Sequence, residues 1–225
     1  MGAGTLDCNS STVTVAAHGG DIQCIITGVA PTIQGAGGAA CNVIGYNGAV
    51  TFTGAATITC RRIGGVWAAG TSTVNFKGTG HKSVQTGSLY NLVVNSAGNL
   101  FRLGTAMVIN NKLTITAGTL STNSEADYSG TDYALTVDDS IIIGDGGTLT
   151  SNNSAVSLGN LDMQSGSTFT MSEGTTTVTN NGSNDTGRTW YSRTNNAEHT
   201  VGPRTLTVPS GSTLLFSSNC SFEFD

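Results

Sequence analysis

Residues 71–120 read TSTVNFKGTGHKSVQTGSLYNLVVNSAGNLFRLGTAMVINNKLTITAGTL, and this stretch restricts the fold more than any other. Apolar side chains alternate over very short runs: Val74 with Phe76, Leu92 with Val94, Leu113 with Ile115. Between them stand Gly, Asn, Ser and Thr, with almost no charge. A period of two is the mark of a strand with one buried face, and no 3.6-residue pattern intervenes. Runs this short, separated by turn residues and recurring at close intervals, predict a parallel β-solenoid in which each coil is a few short strands joined by tight corners.

The same pattern predicts strand pieces over residues 50–53, 57–60, 73–76, 90–95, 101–103, 107–110, 113–116, 133–137, 140–143, 148–150, 155–158, 161–164, 168–171 and 176–179. Odd–even alternation sends one set inward and leaves Thr, Ser and Asn outward. Related phrases return without a fixed period: GTSTVNF, KLTITAGTL, GSTFTMSEGTTTVT, RTLTVPSGSTLLF. At about 20 residues per coil, the chain makes on the order of ten rungs and a body about 50 Å long, given a ~4.8 Å strand spacing.

Composition agrees. Charged residues are 10% and Gly is 31 of 225, with only 3 Pro, as a framework of many tight turns requires. Low charge accompanies neither disorder nor a membrane helix here: Val, Ile and Thr occur throughout, and no apolar run reaches about 18 residues. The net charge of −5 and the scattered cations argue against nucleic-acid binding. The start, MGAGTLDCNSSTVTV, has neither a basic nor an apolar leader region. The expectation is a chain made in a cytoplasm that stays there, assembles into a particle, or leaves by another route.

Four parts are expected. Residues 1–48 form an N-terminal β cap or small β module. Residues 49–179 form the solenoid body, and 201–225 return to strand pattern and close the end. Residues 180–200, NNGSNDTGRTWYSRTNNAEHT, form a protruding loop, and a second loop spans 121–133 with Glu125, Asp127, Tyr128, Asp132 and Tyr133. Loops on a rigid scaffold are where recognition residues concentrate. Arg188, Trp190, Tyr191 and Arg193 are therefore the candidate residues for a glycan or a partner subunit, aromatic faces and guanidinium groups serving either. The alternative is a loop whose aromatics fold back on the solenoid.

Other constellations carry less. Asp138 or Asp139 lies 23–24 residues before Asp162, a spacing that stacks two carboxylates on adjacent rungs as β-helix glycosidases require; the plainer reading is exposed corner residues. His18, His81 and His199 have no Ser or Asp arrangement near them, and no GxSxG occurs. Gly144, Asp145, Gly146 and Gly147 echo one calcium nonapeptide turn without its tandem repeat, so neither a metal nor a cofactor is expected. Thr pairs at i and i+2 (12/14, 51/53, 57/59, 114/116, 148/150, 168/170, 205/207) would order water if aligned, but their irregular spacing predicts no common ladder. Cys8, Cys24, Cys41 and Cys60 follow each other by 16, 17 and 19 residues, which fits small buried residues on successive coils, with disulfides in an oxidising setting as the alternative; Cys220 makes the count odd.

The run STVNFKGTG, LYNLVVNSAG, KLTITAGTL resembles the Gly/Thr/Asn-rich β-solenoid repeats of bacteriophage virion proteins and of bacterial and archaeal surface adhesins, over residues 48–179. The resemblance implies a non-enzymatic, surface-exposed structural component. Its expected partners are copies of itself, a capsid or tail protein, or a surface glycan. Its expected location is a virion surface, or alternatively the outside of a cell.

Overall fold

The computed structural model describes residues 5–15, 25–44, 49–68, 70–79, 83–124, 130–164, 166–172, 174–179, 190–192, 205–207, 210, 213–216 and 222–223. Every ladder between its strands is parallel. Its one helical element among the described residues is a 3-10 turn at Ala36–Gly38. The chain is a three-sided parallel β-solenoid.

Each face repeats in register. The first is a single column running from the N-terminal strands to the last: Val13, Ile33, Ile58, Val74, Leu92, Leu113, Ile141, Leu161, Trp190 and Phe222 occupy successive stacked positions. At about 4.8 Å per step this column is roughly 40–45 Å long. The second face carries Ile63, Val84 and Leu103, then Phe101, Leu120, Leu149, Phe169 and Leu206. The third carries Leu6, Ile26, Val50 and Trp67 in its first half and Leu89, Ile109, Val137, Leu158, Val178 and Phe216 in its second. Residues from Ile26 to Val178 in these columns form one apolar core, most of them wholly inaccessible to water.

The alternation explains why the core is dry. Strands Thr73–Phe76, Thr168–Met171 and Thr175–Val178 each alternate half-buried with fully buried positions, so one set of side chains meets the interior and the other meets solvent. Phe76 and Phe101, both fully buried, stack across the interior with ring centroids 5.1 Å apart and planes 6° from parallel. Corners need left-handed backbone. Gly118 supplies it at φ 88°, where a methyl would also overlap the Ser96 carbonyl, and Asn152 adopts it at φ 48°, as Asn does at modest cost.

The winding extends further towards the N-terminus than the alternation indicates. Strands Thr12–Val15 and Thr32–Gly35 lie in the first-face ladder, and Thr5–Asp7 and Ile25–Gly28 in the third. The stretch expected to be an N-terminal cap or small β module is stacked on the body through its described strands. The Thr pairs depart from expectation as well. Thr148, Thr168 and Thr205 stack in register beneath Thr119, with Thr150, Thr170 and Thr207 alongside. Coil length varies while register is kept, from sixteen residues between Ile58 and Val74 to thirty-two between Trp190 and Phe222. Irregular sequence spacing therefore does not imply misalignment.

Candidate functional site

The outward polar groups divide into those bound to one another and those left for something else. At the corner leading onto the first face the amides are bound. The Asn91 amide donates to the Thr73 hydroxyl at 3.2 Å, and the Asn111 amide donates to the Asn91 carbonyl oxygen at 2.8 Å. The Lys112 main-chain N–H donates to that same Asn91 oxygen at 3.3 Å. This ladder closes the coil corner and has nothing spare for a ligand.

On the second face, coils carrying Ser83, Arg102 and Ser124 enclose a hollow of about 130 Å³, with Gln85, Leu103, Gly104 and Tyr133 completing its wall. It exists because residue 104 is glycine: a Cβ there would sit 2.8 Å from the Gln85 side chain. Arg102 donates to Asn123 Oδ1 at 3.4 Å, and Asn123 in turn donates to Asp132 Oδ1 at 2.8 Å. Two rungs earlier, Arg62 donates to Gln85 Oε1 at 2.9 Å. Two guanidinium groups thus stand along one side of the body, each on an amide of a neighbouring coil.

The 121–133 excursion is anchored at its base. Asn123 and Asp132 form an antiparallel bridge, and Ser124 and Thr131 exchange hydrogen bonds at 2.9 Å. Asp132 and Tyr133 belong to this neck; Glu125, Asp127 and Tyr128 lie outside the described residues. Among the described residues no three His, Cys, Asp or Glu side chains are grouped as a metal site would require.

The stretch read as one protruding loop over 180–200 contains a rung. Trp190–Ser192 is a strand paired in parallel with the coil below, Trp190 opposite Leu161 and Tyr191 opposite Asp162. Trp190 therefore shares the register of a core position, and Tyr191 that of an outward one. Arg188 and Arg193 lie outside the described residues. The flanking Asn, Gly and Ser hide a three-residue strand from a pattern reading.

Register also separates the carboxylates. Asp162 stacks against Ile142, whereas Asp139 precedes Ser140, which stacks against Asn160. The two lie about three residues apart along the strand, roughly 10 Å, and not one above the other. Asp139 is 8% exposed, with the Lys112 ammonium 3.7 Å away; Asp138 is exposed. His18, His81 and His199 lie outside the described residues. Gly144, Asp145, Gly146 and Gly147 form a tight corner, Gly146 at φ 73°.

Cys41 and Cys60 are stacked partners on adjacent coils, fully buried and free. Burial pushes the Cys60 thiol well up from its ordinary value, and the neighbouring Cys41 adds to the rise. Burial raises Cys41 too. Cys8 is buried on a different face, just past Thr5–Asp7. Cys24 and Cys220 lie outside the described residues.

No helix among the described residues is long and apolar enough to cross a membrane. No family model, curated protein or solved structure matches this chain.

Proposed function

We propose that the protein is a non-enzymatic structural component of an exposed surface, of the kind that coats or projects from a phage-type virion, and that it assembles with copies of itself. The observation that carries this reading is the combination of in-register apolar columns, continuous along the first face, with an exterior of Thr, Ser and Asn. A body whose successive coils are joined by ladders resists bending and proteolysis. A chain with only 10% charged residues opposes close approach of copies only weakly. The second face presents a grid of hydroxyls from Thr148 and Thr168 beside Thr150 and Thr170, with Thr205 and Thr207 next in register, a repeating surface suited to lateral packing of identical faces.

Size-exclusion chromatography with light scattering, over a hundredfold range of concentration, tests the reading. Discrete homo-oligomers are expected. The double variant Thr148→Lys, Thr168→Lys places two like charges about 4.8 Å apart on the grid and is expected to return the protein to monomer without unfolding it. A wild type that stays monomeric at every concentration removes self-assembly from the account. Electron microscopy of the source particle then locates the protein on its surface or excludes it.

A further inference from the structure

The third face is interrupted. Strand Val66–Ala68 takes its ladder partner from Ala49–Phe52 on one side, and Ser88–Leu89 takes its partner from Met107–Ile109 on the other. The two strands face each other with no ladder among the described residues joining them. Everywhere else on this face successive described coils are joined by hydrogen bonds.

A groove of about 360 Å³ opens at this interruption, a volume within the range of small-molecule sites. Its apolar wall includes Phe52 and Trp67, both buried. The Trp67 indole N–H already donates to the Gly64 carbonyl at 2.9 Å, so its ring is held in place and its remaining contribution to the groove is carbon surface. The polar wall is Thr51, Ser88, Tyr90 and Asn110. Their side chains are not drawn into the protein's own hydrogen bonds among the described residues, in contrast to Asn91 and Asn111 one residue further along, which are tied to each other. Gly70 shapes the floor: at φ 51° a Cβ there would lie 2.8 Å from the Phe52 carbonyl. Among the described residues the lining includes no Asp, Glu, Lys, Arg or His.

We infer that this groove binds a neutral saccharide. Phe52 and Trp67 are buried and form the base of the groove, so the aromatic surface it offers is that of the half-buried Tyr90 ring. That ring beside uncommitted hydroxyl and amide groups complements a sugar ring, which presents C–H patches and a rim of hydroxyls at once. The absence of charged side chains from the lining disfavours acidic sugars and phosphates, whose charge would be desolvated without a partner. The main chain at the interruption adds donors and acceptors that no neighbouring coil engages. This site is distinct from the Trp190 and Tyr191 rung and is independent of self-assembly.

The test is saturation-transfer NMR and calorimetry on the full chain with lactose, maltose and cellobiose, and with sialyllactose as the charged comparator. Binding of at least one neutral disaccharide in the millimolar range or tighter is expected, with sialyllactose no better than its neutral counterpart. Tyr90→Phe and Asn110→Ala each delete one polar group and are expected to weaken binding about fivefold, with circular dichroism and melting temperature unchanged. Trp190→Ala is expected to bind as wild type. The inference is overturned if no neutral disaccharide binds at about 20 mM. It is equally overturned if both groove variants bind as wild type, or if Trp190→Ala alone abolishes binding.

Discussion

Removing one ring from the Phe76–Phe101 stack tests how this core is held together. Both rings are fully buried, and they come from different faces, so each closes the space the other leaves. A phenylalanine buries on the order of 150–250 Å², which at about 25 cal/mol/Å² corresponds to roughly 4–6 kcal/mol as an upper bound. Alanine keeps part of that area, and a solenoid interior held by ladders on its first and second faces at this level collapses little into the void. Phe101→Ala is therefore expected to cost about 4 kcal/mol. The near-parallel stack at 5.1 Å adds its own term of about 1 kcal/mol. It is isolated by the cycle of Phe76→Leu, Phe101→Leu and the double variant, in which the singles sum to about 1 kcal/mol more than the double costs. The assay is urea unfolding followed by fluorescence and circular dichroism, with hydrogen exchange locating the loosened coils, because stacked coils couple chiefly to their neighbours. A cost below about 1 kcal/mol for Phe101→Ala, or additive single variants, would refute the packing argument.

Three further outcomes follow from particular positions. Thr176 stacks between Val156 and Leu214, 1% exposed, and its hydroxyl has no partner within the structure; Thr176→Val is expected to raise the urea midpoint by an amount worth about 1 kcal/mol. Gly118→Ala is expected to destabilise by more than about 2 kcal/mol, since it combines left-handed strain with a collision, whereas Gly98→Ala, at φ 70° with open space around it, is expected to cost only about 1–2 kcal/mol; equal melting temperatures for the two would contradict the corner geometry. The folded-state pKa of Cys60 is raised by burial and then by Cys41, so the unfolded chain loses its thiol proton first. Stability is then fully present below the unfolded thiol value and falls as pH rises above about 8.5. Denaturant titrations at pH 7.5 and 9.5 are expected to show this decline, and Cys60→Ala to reduce it; iodoacetamide is expected to spare Cys41 and Cys60 until the protein unfolds.

Much of the winding was legible because inward and outward residues differ so sharply in type. Residues 73–76 and 168–171 are strands with the boundaries their alternation indicates. Other boundaries merged. Asn91–Leu103 and Leu135–Ile143 are each one strand where the sequence suggests two pieces, because Ser96, Ala97, Gly98 and Asn99, or Asp138 and Asp139, bulge at a corner and the ladder resumes directly after it. The register slips there, between Asn95 and Leu100 and between Val137 and Ser140. A sequence pattern reports turn chemistry but not whether neighbouring coils stay bonded through the turn. Register itself was hidden by unequal coil lengths, which is why the threonine grid emerges only when coils are stacked, whereas the 19-residue spacing of Cys41 and Cys60 already pointed to buried positions on successive coils. The groove was hidden for a related reason. Trp67 stands in GGVWAAG, where Gly and Ala give no alternation to read, and its proximity to Tyr90 depends on a ladder that is interrupted. A lone tryptophan between glycines was the one signal available.

The most direct test of the winding is a pair of engineered disulfides on the second face. Thr119 and Thr148 are stacked partners, so Thr119→Cys with Thr148→Cys places two Cα atoms about 4.8 Å apart, within disulfide range. Thr119→Cys with Thr150→Cys is out of register by two residues and is expected to remain reduced under the same oxidant, as shown by mass spectrometry of proteolytic fragments. Cross-linking of the second pair but not the first would contradict the parallel, in-register stacking from which the rest is derived.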